Sequence, residues 1–520
     1  MFRAFLSGFG KPWTNTAKGF LGGVIESPRY ILALDQGTSS SRAILFDEDG
    51  RIVRMGQRSL ASRYPRPGWV EQDPEEIWSS QWSAVQDCLA GVDRALILAV
   101  GIANQRETII LFERATGKPV YPAIGWQCQR TFNVCADLKA QGVGPLVRDK
   151  TGLPLDAYFS ATKIAWILDE VPGLRRRADL GEIAAATVDS WLMHKLTGGR
   201  HHLTDVSNAA RTSLFNIQTL LWDQDLLRLF RVPPAVLPTV VDSSGLLAYS
   251  EASLLGRSVP IAGLAGDQQA ALFGHRAFER GMAKNTYGTG AFLLMNTGQR
   301  PVSSSHGLLT TVAWRLPKEP TQYALEGSVF SAGSAIQWLR HQLRIIEPHD
   351  DMDALVASIQ DTGDVYFVPA FSGTGAPNWD ANARGTIVGI TQGTSRAHLI
   401  RAALESIAFQ TRDVLGAMRS DANMDVKILP VDGGVTRSQF LMAFQADILN
   451  IPVVRLSLGE ATALGAAFLA GHGVDLWDKG NFPKIDDKLE TFWPSMDDNR
   501  SNRLYQRWQR ALQKAEGWTQ

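Results

Sequence analysis

The order of elements predicts an α/β protein built as two lobes. A meander of three strands is followed by a helix and a buried strand, which indicates an α/β layer and not a bundle or a sandwich. Similar glycine turns recur from about residue 284, as if the opening arrangement were repeated. The chain is 520 residues long, more than one hydrophobic core usually organises.

The elements follow from local pattern. YILAL, starting at Tyr30, is a continuous apolar run that reads as a buried strand, and SRAILF and RIVRMGQ follow it, the latter after a DEDG turn. PEEIWSSQWSAVQDCLAGV has Pro74 at its start, acids in the first turn and apolar residues three and four apart, so it reads as a helix. ALILAVGIA resumes a buried strand, and TIILFE alternates out of it. In the second half KNTYGTGAFLLMNTG reads as strand, tight turn, strand, and VKILPVDGGVTRSQFLMAFQADILN as strand, glycine turn, amphipathic helix. No low-complexity linker divides the lobes, so chain crossings or a hinge are expected to join them.

Composition narrows the function. Lys plus Arg and Asp plus Glu balance at 52 each, which removes the electrostatic reason to bind nucleic acid or anionic membrane. The run Arg175-Arg176-Arg177 reads as a solvated helix face. Three cysteines, Cys88, Cys128 and Cys135, form no CxxC and are too few for a disulfide framework, so a reducing, cytoplasmic setting is expected. The longest apolar run is about half the roughly 20 residues of a transmembrane helix. Residues 1–28 carry Arg3, Lys11 and Lys18 before their first acid, Glu26, and are expected to be a flexible extension or an over-long reading frame, with an organellar presequence as the lesser alternative.

There is no Walker loop, G-x-G-x-x-G after a strand, HExxH or G-x-S-x-G elbow. Three turns remain: DQGTSSSR, YGTGAF and VDGG. Singly each is an ordinary connection. Together they suit a phosphate cradle, since glycines let backbone N–H groups approach anionic oxygens and hydroxyls add donors. Asp35, at a strand end, would then hold Mg²⁺ through water. Asp267, in GLAGDQQAALFG, is either a helix N-cap or a general base. Arg106 and Glu107, in NQRET, are either a surface ion pair or a donor and acceptor for the hydroxyls of a small polyol. On composition alone, Trp126 and Phe292 are core aromatics. These residues point to phosphoryl transfer and leave the acceptor open.

In order, DQGTSSSR, NQRET, WQCQR, YFSATKIAWILDE, GDQQAALFG, NTYGTGAF, SGTGAPNWD, LESIAFQTRDVL and VDGG resemble the motif series of the FGGY carbohydrate kinases, from about Tyr30 to near residue 510. NQRE, the WQC tryptophan and GDQQAALFG together resemble the glycerol-specific members. The resemblance implies an actin-like ATPase fold of two ribonuclease-H-like lobes, residues 29–277 on the substrate side and 278–512 on the nucleotide side, around an interdomain cleft. It implies ATP-dependent phosphorylation of glycerol to sn-glycerol 3-phosphate by a cytoplasmic homo-oligomer, a dimer or tetramer. Asp35 would order Mg²⁺, while Thr38, Ser39, Ser40, Arg42 and Thr289 would meet phosphate. Gly333, Gln337 and Gly434 would line the adenosine site. Ser438 stands where the family commonly has Asn, which alters the adenine contact. Arg106, Glu107, Tyr158, Asp267 and Gln268 would bind substrate hydroxyls, Trp126 and Phe292 would flank the carbon chain, and Asp267 would be the base. The family's glycine-rich effector loop for fructose 1,6-bisphosphate is altered at Ser253–Ser258, which keeps Arg257 and Gly256 but adds Leu254 and Leu255. Rival readings are an FGGY kinase for a longer polyol and a non-catalytic actin-like nucleotide switch.

Overall fold

The computed structural model describes residues 29–456, 460–483 and 489–519. The expected N-terminal extension lies outside them. Two mixed sheets carry the chain. In the first, Ser244–Tyr249, Pro260–Gly266, Ile97–Asn104, Tyr30–Gln36, Ser40–Asp47 and Ile52–Ser59 lie side by side. In the second the order is Leu309–Trp314, Gln322–Val329, Ala291–Gly298, Ala283–Tyr287, Leu429–Asp432, Val453–Arg455 and Glu490–Phe492.

The duplication is visible in these orders. In each sheet the first strand of a hairpin lies centrally. Its second strand and a further antiparallel strand lie to one side. Two strands parallel to it or to each other lie on the other side. Both faces of the first central strand are covered: Leu32 and Leu34 join one core, Ile31 and Ala33 another. That explains an apolar run without alternation. Beyond half-buried Ile52, the outer Ile52–Ser59 strand is exposed except at Gly56, where an added Cβ would lie 2.1 Å from the Ala84 carbonyl oxygen of the covering helix, Pro74–Cys88.

The segment between the parallel strands Ile97–Asn104 and Pro260–Gly266 supplies Ala123–Ile124, Ile109–Glu113 and Ile183–Thr187 to a separate four-stranded sheet, whose edge strand Glu71–Gln72 comes from before them in the chain, and it adds flanking helices. Arg175, Arg176 and Arg177 sit on the helix Leu174–Asp179, where Arg175 pairs with Asp169 and Arg177 with Glu113 and Glu182, as a solvated face should. The three cysteines are buried and free. Among the described residues no helix is long and apolar enough to cross a membrane.

The lobes meet through two helices of small residues, Asp267–Gly274 and Ala461–Gly473. The second of these follows the second sheet's strand Val453–Arg455 in the chain but packs on the first sheet. A Cβ at Gly101 would lie 2.1 Å from the Ala466 carbonyl oxygen, and one at Gly465 only 1.7 Å from that of Ala270. Here backbone touches backbone. The surrounding core mixes Ile31, Ala33 and Ala103 with Leu294 and Ala324 of the other sheet.

Candidate active site

Two hairpin turns face the cleft. In the first, Gly37 N–H donates to the Ser40 carbonyl at 2.9 Å, which closes the turn below Thr38 and Ser39. Ser39 is exposed, while Thr38 and Ser40 are half-buried. Asp35 and Arg42 are cross-strand partners, with Arg42 Nε 3.7 Å from Asp35 Oδ2 and Arg42 Nη1 donating to Glu460 at 2.5 Å. In the second, Gly288 N–H donates to the Gly290 carbonyl at 2.8 Å and leaves Thr289 exposed at the tip. The Thr289 carbonyl accepts from Ala332 and Ser334 N–H, each at 3.0 Å, which seats the turn on the start of the helix Gly333–His341.

Glycine is required where the third turn meets the second. Gly433 has φ +96°, and a Cβ there would lie 2.3 Å from the Tyr287 carbonyl oxygen. Gly333 is equally tight, 2.5 Å from the Gly288 oxygen, whereas Gly434 is exposed to open space. Gln337 is exposed one turn into its helix. Ser438 is buried: its hydroxyl caps the helix Gln439–Leu449 by accepting from Leu441 N–H, and it donates to Asp353 at 2.5 Å.

The polyol-type residues gather beside these turns. Asp267 is not the helix cap; Gly266 is, and Asp267 opens the helix. Its Oδ1 accepts from Gln268 N–H at 2.8 Å and lies 3.3 Å from Arg106 Nε, and its side chain keeps 27% exposure. Arg106 and Glu107 are not a surface ion pair. Both side chains are 2% exposed and stand 3.9 Å apart. Glu107, at φ +62°, instead accepts from Arg211 Nε at 2.6 Å. Trp126 packs edge-on to Tyr158 at 5.6 Å and to Phe292 at 6.1 Å, and its Nε1–H donates to Thr38 Oγ1 at 2.9 Å. The aromatic pair is therefore half-buried between the first turn and the Arg106–Asp267 group, not sealed in a core.

Five charged residues of this cluster escape sequence reasoning. Asp432 accepts from His275 at 2.8 Å on one oxygen and has no hydrogen-bond partner for the other, buried Oδ1. Lys284, fully buried, donates to Gln268, to Thr286 Oγ1 at 2.9 Å and to the Phe292 carbonyl at 3.3 Å. Glu326 and Arg211 lie beneath Arg106 and Glu107, and Glu460 holds Arg42. Lys284 and Glu326 are charges within largely buried strands, and Asp432 ends one, the one signal that could have exposed them.

Electrostatics mark the site. Burial pushes the Asp35 carboxyl above its usual range, with Arg42 opposing and Asp432 adding to the rise. Burial likewise raises Asp267, opposed by Arg106 and reinforced by Asp35. Burial works against ionised Asp432 too, but His275 and Lys284 bring it below the ordinary value. Lys284 is lowered by burial to about 8. Such a concentration of displaced titrations in one cleft is characteristic of catalytic sites. Among the described residues no group of three or more His, Cys, Asp or Glu side chains could alone hold a metal.

Residues 30–274 match the N-terminal domain of the FGGY family of carbohydrate kinases, and residues 283–474 its C-terminal domain. The chain is 53% identical to a glycerol kinase of Symbiobacterium thermophilum over 94% of its own length and 99% of the relative's. It is 52% identical to glycerol kinase 2 of Thermotoga maritima over the same shares. The crystal structure of Plasmodium falciparum glycerol kinase with ADP superposes with a TM-score of 0.85 at 34% identity, covering 94% of this chain and 98% of that one. A Lactobacillus acidophilus gluconate kinase shares the fold alone, with a TM-score of 0.82 at 22% identity. The fold is thus the actin-like ATPase fold, and the chain belongs to the FGGY family of carbohydrate kinases.

Proposed function

We propose that this chain transfers the γ-phosphoryl group of ATP to a terminal hydroxyl of glycerol, forming sn-glycerol 3-phosphate. The carrying observation is the place of Asp267, a partly open carboxylate beside Arg106 and close enough to Asp35 to feel its charge. In this reading Asp267 accepts the hydroxyl proton as the oxygen attacks in line. Arg106, Glu107, Tyr158 and Gln268 hold the hydroxyls, and Trp126 and Phe292 flank the carbons. Thr38, Ser39, Ser40, Arg42 and Thr289 meet the phosphates, and Gly333, Gln337, Gly434 and the rim around Ser438 take the adenosine. Residues 29–277 form the polyol lobe and 278–512 the nucleotide lobe, whose closure excludes water.

Mg²⁺ fits beside Asp35, because Asp432 offers a buried, unpartnered oxygen close by and the ion commonly needs only one or two carboxylates alongside phosphate and water. When bound it neutralises charge on the phosphate oxygens. The same reading places the chain in the cytoplasm as a homo-oligomer.

A coupled assay of ADP release across glycerol, dihydroxyacetone, erythritol and xylulose tests the proposal. Glycerol should lead in kcat/KM, since analogues that leave buried polar groups unpaired can lose about 10⁴- to 10⁵-fold. Equal kcat/KM for glycerol and xylulose would sink the three-carbon reading, and ATP binding without transfer to any polyol would favour the nucleotide switch.

A further inference from the structure

The second sheet sends one carboxylate to the polyol end of the cleft that none of the hydroxyl-binding roles uses. Glu326 lies within the strand Gln322–Val329 and has no exposed surface. Its Oε2 accepts from Arg106 Nη1 at 2.6 Å and its Oε1 from Arg106 Nη2 at 2.9 Å, a forked pair. Oε1 also accepts from Arg211 Nη2 at 3.0 Å and from Ser328 Oγ at 3.2 Å. Arg211 in turn donates Nε–H to Glu107 at 2.6 Å. One carboxylate therefore holds Arg106 directly and Glu107 through Arg211.

What Arg106 would do otherwise follows from its donors. Nη1 serves Glu326 and also Gln269 at 3.2 Å, while Nε points toward Asp267 at 3.3 Å. Two carboxylates thus compete for one guanidinium. Glu326 wins: burial alone would raise its carboxyl, but Arg106 and Arg211 hold it down to about 2. With the fork occupied, one N–H of Nη2 remains for a ligand. Without Glu326, Asp267 is the carboxylate nearest Arg106 after Glu326 itself, and a tighter Arg106–Asp267 pair would occupy the proton acceptor.

We infer that Glu326 is a positioning residue for the polyol site, holding Arg106 off Asp267 and fixing Glu107 through Arg211. The inference rests on the polyol reading above. Glu326→Gln keeps the shape and removes the charge. It should raise KM for glycerol by roughly 10²-fold, the order of loss that a misplacement of about 1 Å can cause, with a far smaller change in KM for ATP. The acid limb of kcat/KM should also move to lower pH, because a closer Arg106 favours ionised Asp267. Arg211→Lys keeps charge but cannot bridge Glu107 and Glu326 with a fork, so it should raise KM for glycerol without moving the acid limb. If the glutamine variant does not fold, the lysine variant decides alone. An unchanged KM for glycerol in either folded variant overturns the inference while leaving glycerol phosphorylation intact. Failure of the unmodified chain to phosphorylate glycerol would instead overturn the proposed function.

Discussion

Asp267→Asn replaces the carboxylate with an amide of nearly equal volume. The retained Oδ1 can still accept from Gln268 N–H and face Arg106 Nε, so the local geometry survives. What disappears is the proposed proton acceptor. A positioned base contributes about 10²- to 10⁴-fold, so kcat should fall by that factor, a barrier increase of roughly 3 to 5 kcal/mol. Glycerol and ATP affinities should persist. The pH profile adds a second readout. Burial raises the Asp267 carboxyl, and the base works only when ionised, so activity of the unmodified chain should fall on the acid side above the ordinary carboxylate range. The variant's residual activity should lack that limb. Stability should move the opposite way. An acid whose folded pKa is raised binds more protons in the native state, so its stabilising contribution is present below the unfolded value of 3.8 and is lost as pH rises through the folded one. Above that window the ionised group costs stability, and asparagine should match or exceed the unmodified chain in denaturant midpoint at neutral pH. Stopped assays of the folded variant, with calorimetric affinities for both substrates, measure all of this. Near-normal turnover with bound substrates would refute the role of Asp267 as base.

Two further expectations concern turns away from the base. Gly433→Ala should destabilise by at least about 1 kcal/mol, since φ is +96° and the new methyl meets the Tyr287 oxygen at 2.3 Å. Urea unfolding checks the stability loss, and KM for ATP should rise more than KM for glycerol because this turn abuts Tyr287 at the foot of the YGTG hairpin. Fructose 1,6-bisphosphate should inhibit weakly or not at all: Arg257 is tied to the Ala95 carbonyl at 2.8 Å, Leu255 is buried, and Gly256 at φ +74° ends the short helix Ala252–Leu255. Saturable inhibition at micromolar effector in the glycerol assay would show that another surface presents the phosphates' ligands.

The parts of the fold legible in the sequence are those governed by neighbours in the chain. Hairpin turns need glycine locally, and the expected strand–turn–strand at KNTYGTGAFLLMNTG appears as Ala283–Tyr287 and Ala291–Gly298. The Pro74 helix starts where expected, with Asp73 as its cap, but ends at Cys88, and ALILAVGIA begins with a 3₁₀ turn before its strand. Polar residues on loops announced themselves in the same way. Glu326 did not, because its meaning depends on Arg106, 220 positions earlier, and an isolated glutamate in YALEGSV has no local partner. Asp432 ends the strand Leu429–Asp432 just before a glycine turn whose backbone masked it. Whether Arg106 and Glu107 pair at the surface or serve buried partners was likewise undecidable from adjacency, since burial is set by strands far away in the chain.

The backbone contact at Gly465 and Ala270 has a mechanical consequence. Where two helices touch without side chains between them, there is no compressible layer to absorb a change in spacing. A methyl group at Gly465 must displace one helix, and the displacement is inherited by everything mounted beyond it. The helix Asp267–Gly274 carries the proposed base at its first residue and Ala270 at the contact, so the wedge would act less than one turn from the chemistry. Alanine there should therefore behave as an error in alignment, slowing turnover and opening the cleft to water, while every residue that meets a substrate keeps its identity.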